Sequence, residues 1–79
     1  MKYILYVRAE CPYVTKVKIF AEPLGLEFDE RDISDPAVAD ELIERGGKRQ
    51  VPYLVDVENV VEMYESEDII EYLKQHAGS

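Results

Sequence analysis

Residues Tyr3 to Val7 form a nearly unbroken run of aromatic, β-branched and aliphatic positions, the pattern of a strand covered on both faces, and predict a central β-strand. Ala9 and Glu10 interrupt the run, and Cys11-Pro12 then opens a helix. Proline's fixed φ and missing N–H suit a first helical position, which leaves Cys11 as the N-cap. Val17, Phe20, Ala21 and Leu24 recur at helical spacing with Lys16, Lys18 and Glu22 between them, until Gly25 ends the helix. Leu26 to Asp32 begins with apolar alternation and turns heavily charged, as expected of an edge strand that must not pair with other chains. Asp35-Pro36 repeats the cap-and-proline start, and the helix carries Ala39, Leu42 and Ile43 on one face and a Glu41–Arg45 pair at four-residue spacing, ending at Gly46-Gly47. Pro52 to Val57 and Val60 to Tyr64 read as two strands joined by a tight Glu58-Asn59 turn that lacks the usual glycine. Ser66 is the expected N-cap of a last helix, with Glu67 and Asp68 in its first turn and Ile69, Ile70 and Leu73 facing inward.

The order β-α-β-α-β-β-α predicts an α/β fold: a right-handed β-α-β unit, then a hairpin and a helix, giving a four-stranded mixed sheet flanked by helices. The spatial order of the strands is left open by this reasoning. The chain's 79 residues leave room for one domain, expected to span 1–79. With 47% hydrophobic and 33% charged residues it can bury a core. One cysteine and one histidine exclude an internal disulfide and an all-protein zinc site. Nine basic against seventeen acidic residues leave a net charge of −8, which argues against nucleic acid as a partner. No apolar stretch approaches a membrane span, and Met1 to Val7 is too short and too soon followed by Arg8 to be a signal peptide, so a cytoplasmic protein, with no membrane partner, is expected. The unpaired thiol fits a reducing compartment.

That thiol is the candidate reactive group. A cysteine between a strand and a helix lies near unsatisfied N–H groups and the positive end of the helix dipole, both of which favour the thiolate nucleophile. Arg8 could add to this or hold an anionic ligand. The competing reading makes Cys11 a small buried hydrophobe and Arg8 a surface charge.

Cys11-Pro12-Tyr13-Val14 matches three of the four positions of the Cys-Pro-Tyr-Cys motif, Gly47 to Pro52 ends in Gln-Val-Pro, and Met63 to Ile70 reads Met-Tyr-Glu-Ser-Glu-Asp-Ile-Ile. In this order and spacing the three segments resemble the glutaredoxins of the thioredoxin fold, and the last is also similar to the N-terminal domain of glutathione transferases. The resemblance covers about residues 3 to 75. It implies a cis Pro52 facing Cys11, a Val51 backbone paired with the cysteinyl part of glutathione, and Arg8, Tyr13 and Gln50 flanking its glycine end, with Lys48 or Arg49 as helpers. Ser66 and the first-turn N–H groups of the last helix would hold the γ-glutamyl carboxylate, and Glu65 or Asp68 the ammonium. The bland counterparts are a capped helix at Ser66 and a trans Pro52 that merely starts a strand.

Val14 stands where dithiol glutaredoxins carry their second cysteine, so the two-thiol route is closed and the expected activity is monothiol. Cys11 would reduce glutathione mixed disulfides with glutathione as co-substrate, acting on glutathionylated proteins or small disulfides, as a monomer and without a metal. Other departures are Gln50 in the usual threonine position and the lack of a Gly-Gly pair before the last helix, where Val61 to Tyr64 looks more like the transferases. Two alternatives remain: a carrier of a [2Fe–2S] cluster ligated by glutathione and Cys11 from two chains, and a non-catalytic glutathione-binding domain.

Overall fold

The computed structural model describes residues 3–76, so both ends of the expected 1–79 domain, residues 1–2 and 77–79, lie outside it. Strand β1 (Tyr3–Val7) is followed by helix α1 (Pro12–Ala21), a 3₁₀ turn (Glu22–Leu24), β2 (Phe28–Asp32), α2 (Pro36–Gly46), β3 (Tyr53–Asp56), β4 (Val61–Tyr64) and α3 (Ser66–His76). The sheet order is β2-β1-β3-β4, with β1 parallel to β2 and antiparallel to β3, and β3 antiparallel to β4. Among the described residues no helix is long and apolar enough to cross a membrane.

The apolar run of β1 has the predicted consequence: flanked by a strand on each side, all five of its residues are buried. Alternation divides them between two cores. Tyr3, Leu5 and Val7 join Leu54 of β3 beneath α1 and α3, contacting Val14, Val17, Ile69 and Leu73. Ile4 and Tyr6 point to the opposite face, where α2 covers them with Ala39 and Leu42. Two layers of helix thus sandwich one sheet, and β2, at the edge, carries the charges expected there, with Arg31 paired to Asp29 and Glu41.

Element starts follow the prolines and ends depart from prediction where side-chain chemistry intervenes. Cys11 and Asp35 both sit in extended backbone before a first-turn proline, and the Asp35 carboxylate accepts from the Ala37 N–H at 3.0 Å. Helix α1 does not reach Gly25. Pro23 removes an N–H donor, and the chain tightens into the 3₁₀ turn after Ala21. Strand β2 begins at Phe28 rather than Leu26. Ile43, expected inward, is 42% exposed, because α2 turns only Ala39 and Leu42 fully toward the sheet.

The β3–β4 connection is longer than the predicted two residues. Asp56 pairs with Val61, leaving Val57 to Val60 as the loop, and Val60 takes φ 56°. No glycine is needed because Asp56 itself organises the turn, accepting from the Asn59 backbone N–H at 3.2 Å and its side-chain amide at 2.8 Å. Gly47, in contrast, caps α2 at φ 88° with open space where a Cβ would stand. Gly47→Ala is therefore expected to cost only the backbone term, about 1 kcal/mol. A lower urea midpoint with an unchanged m-value would show it.

Candidate functional site

Three separated segments meet at one end of the sheet. The loop after β1 leads through Glu10, at φ 60°, into Cys11 and the first turn of α1. The segment between α2 and β3 runs from Gly47 to Pro52 and contains the cis Val51–Pro52 bond. The third segment is the step from β4 into α3, where Glu65 sits at φ 69°. A left-handed conformation at a non-glycine residue carries an energetic cost and recurs at functional positions, and here it turns the chain sharply from strand to helix.

Tyr13, Gln50, Val51, Pro52, Glu65 and Ser66 line one cleft of about 310 Å³, at the small end of the range for ligand sites. Its floor is apolar, with Pro52 buried and Val51 half-buried, while Tyr13, 62% exposed, stands at its rim. The Gln50 side-chain amide donates to the Glu65 carboxylate at 3.2 Å, which joins the second segment to the third. Ser66 is not the cap of α3. It is the first helical residue, 6% exposed, and Glu65 occupies the capping position, its carbonyl accepting from the Ile69 N–H at 3.0 Å. The N–H groups of Ser66, Glu67 and Asp68 consequently have no acceptor within the helix.

Of the residues singled out in the sequence, Arg8 and Cys11 lie outside this lining, as do Lys48, Arg49 and Asp68. Arg8 is exposed on the loop after β1. Cys11 is a free thiol, but it is 5% exposed and packs in the core beneath α1 and α3 together with Val14. Its carbonyl accepts from the Thr15 N–H at 3.1 Å and hydroxyl at 3.2 Å. Of the expected helpers at the glycine end, Arg49 donates to the Ile33 carbonyl at 3.4 Å and Lys48 is exposed, as is Asp68, the alternative to Glu65 for the ammonium.

Sequence reasoning placed Tyr64 at the end of a strand and missed its polar end. The hydroxyl donates to the Lys48 carbonyl at 2.8 Å and accepts the Lys48 N–H at 3.1 Å. Its ring is the outer member of a ladder, 4.4 Å between centroids from Tyr53, which is in turn 5.9 Å from Tyr6. Burial, then the hydrogen bond to and charge of Glu62, push the Tyr53 hydroxyl well above the ordinary tyrosine range. The one available signal was the register of three tyrosines on neighbouring strands. A larger and more open depression of about 580 Å³, between the end of α1 and β2, is lined by Lys18, Glu22, Glu27 and Glu30 among others. Its lining carries no thiol or hydroxyl and lies away from the three converging segments.

A four-stranded mixed sheet with this order, a cis-proline before β3 and a cysteine opening α1 is a thioredoxin-like fold. Within that fold the chain belongs to a family: residues 5–79 match the glutathione S-transferase N-terminal domain. A glutathione S-transferase from the Antarctic clam Laternula elliptica superposes with a TM-score of 0.83 at 24% identity, over 100% of this chain and 36% of that one. A glutathione transferase homologue from Drosophila mojavensis, solved with bound glutathione, gives 0.80 at 26% identity, over 99% of this chain and 36% of that one. Glutaredoxin from Brucella melitensis gives 0.69 at 28% identity, over 95% and 79%. The chain therefore spans about a third of the length of the transferases it resembles. No curated protein matches it.

Proposed function

We propose that this domain binds glutathione in the Tyr13–Ser66 cleft and, through Cys11, exchanges thiols with glutathione mixed disulfides in a one-cysteine cycle. The observation that carries the reading is the convergence of Tyr13, Gln50, Val51, Pro52, Glu65 and Ser66, from three segments, on a single cleft. Glutathione presents an ammonium and a carboxylate at one end, a carboxylate at the other, and a sulfur between two peptide groups. The open N–H groups at the start of α3 suit the γ-glutamyl carboxylate, and the Glu65 carboxylate suits the ammonium beside it. The Val51 backbone pairs with the cysteinyl peptide, and Tyr13 and Gln50 flank the glycine end. Arg8 is assigned to the thiolate on sequence grounds.

In the cycle, the Cys11 thiolate attacks the glutathione sulfur of a mixed disulfide. The old S–S bond breaks, the substrate leaves as its thiolate, and Cys11 becomes glutathionylated. A second glutathione thiolate then attacks the glutathione sulfur on Cys11, releasing the Cys11 thiolate and oxidised glutathione. One mixed disulfide is reduced for each pair of glutathiones joined. The burial of Cys11, 5% exposed and outside the cleft lining, favours a second reading in which the domain holds glutathione and a longer transferase supplies the chemistry.

Titration calorimetry with reduced glutathione, run beside steady-state release of glutathione from a glutathionylated peptide, tests both. Binding with turnover supports the exchange cycle, binding without turnover selects the second reading, and absence of both overturns the proposal. Glu65→Gln removes the charge while retaining an acceptor for Gln50, and is expected to weaken glutathione binding roughly five- to tenfold. An unchanged affinity would remove Glu65 from the ammonium site.

A further inference from the structure

The two walls of the cleft are separate stretches of chain, one reaching Val51 from Gly47 and the other running from Glu65 into α3. The exposed Gln50–Glu65 hydrogen bond joins them directly, and Tyr64 adds a second tie. Tyr64 is the chain neighbour of Glu65, and its hydroxyl brackets the main chain of Lys48 from both sides, donating to the carbonyl at 2.8 Å and accepting from the N–H at 3.1 Å. The Lys48 ammonium also lies over the Tyr64 ring, 5.2 Å from its centre. One side chain thus belongs by sequence to one wall and by hydrogen bonding to the other.

Its seat is prepared. The Tyr53 ring supports it from the neighbouring strand, 4.4 Å between centroids. On the far side α2 ends at Gly46, and a Cβ there would overlap the Tyr64 hydroxyl and ring. Gly46 is within α2, where alanine would otherwise be preferred, so the missing side chain is accounted for by the approach of this hydroxyl. Lys48 is exposed, and water could satisfy its N–H and carbonyl equally well. The bracket accordingly adds little to global stability; its effect is to hold the loop in one position.

We propose that Tyr64 is a positioning residue of the glutathione site, fixing the Lys48–Val51 wall against the Glu65–Ser66 wall by its two hydrogen bonds to Lys48. The inference rests on the glutathione reading for its ligand, but the restraint on the loop is a property of the unliganded chain. Tyr64→Phe keeps the ring, the packing on Tyr53 and the contact with the lysine, and removes only the bracket.

The test combines hydrogen exchange of the free protein with glutathione calorimetry on the unmodified chain, Tyr64→Phe and Gly46→Ala. For Tyr64→Phe, exchange is expected to accelerate at the amides of Lys48 to Val51 and to stay unchanged in β1 and α3. Glutathione affinity should fall roughly fivefold. The rate of Cys11 alkylation by iodoacetamide should not move. Where turnover is present, KM for the glutathionylated peptide should rise while kcat holds. Gly46→Ala, which displaces the same hydroxyl, should reproduce the local exchange pattern. Exchange that is unchanged at Lys48–Val51, or faster uniformly over the fold, overturns the positioning role. Glutathione affinity equal to that of the unmodified chain, with the loop loosened, overturns it as well. Failure of the unmodified chain itself to bind glutathione sinks the ligand assignment instead, and the exchange data then decide the restraint by themselves.

Discussion

Cys11→Ser is expected to reduce release of glutathione from a glutathionylated peptide to the uncatalysed background, a loss of at least roughly a hundredfold, with glutathione affinity nearly unchanged. Serine matches the shape of cysteine but cannot form a disulfide, so the first bond of the exchange cycle is never made. The affinity should survive because the cleft is lined by Tyr13, Gln50, Val51, Pro52, Glu65 and Ser66 and not by the thiol. This separation makes the variant informative: a fall in binding along with turnover would mean that Cys11 shapes the cleft, and persistent turnover would overturn a covalent role. Val14→Cys is the complementary change. Val14 is 4% exposed and belongs to the same buried cluster as Cys11, one helical turn further on. A thiol introduced there is close enough in volume to be accommodated. Mass spectrometry after exposure to oxidised glutathione should find the unmodified chain carrying one glutathione, and Val14→Cys converted to an internal disulfide. If the unmodified thiol remains free while an unfolded control reacts, its burial governs and the binding-only reading stands.

How far the site could be read from the sequence depends on the kind of information each residue carries. Pro12 and Pro36 marked helix starts because proline's backbone geometry acts locally, and the apolar run of β1 reported burial on both faces directly. The hairpin turn could not be read that way, since its geometry comes from the Asp56 side chain accepting from Asn59, a contact that no turn glycine announces. Ser66 illustrates a finer limit. A serine followed by two acids has the composition of an N-cap, yet the capping position falls one residue earlier, on Glu65 in a left-handed conformation. The cleft lining was accessible because three short segments resemble a family that brings them together, and composition alone would not have joined residues 13, 50 and 66. What no local pattern encodes is which side chains meet across the walls. The contact between Gln50 and Glu65 and the bracket of Tyr64 on Lys48 exist only after β4 has paired with β3.

Asp56→Ala is expected to lower the unfolding free energy by about 2–4 kcal/mol, the largest stability loss anticipated from a polar substitution here. Asp56 is 1% exposed, yet it is negatively charged in a chain that already carries a net charge of −8. Burial by itself would raise its pKa; hydrogen bonds from the Asn59 side chain, the Tyr72 hydroxyl and the backbone of Asn59 and Glu58 outweigh it and hold the carboxyl below the ordinary 3.8. Truncation leaves those donors facing a void and unties α3 from the β3–β4 turn, since Tyr72 reaches Asp56 from the helix. The pH dependence follows from the same contacts. A carboxyl whose folded pKa is depressed contributes its full stability above the unfolded value and loses it as pH falls through the folded one. The unmodified protein should therefore weaken progressively below about pH 4, and Asp56→Asn, which retains the shape, should show a shallower acid limb. At the alkaline end the sign reverses for the partner. Burial, then the hydrogen bond to and charge of Asp56, push the Tyr72 hydroxyl from 10.0 up to about 12. Its contribution is complete below pH 10 and declines as pH climbs toward that value, so Tyr72→Phe should flatten the alkaline limb as Asp56→Asn flattens the acid one. Urea midpoints measured from pH 3 to pH 11 would read both limbs, and an acid limb that keeps its slope in Asp56→Asn would show that other carboxylates, not this buried one, govern acid stability.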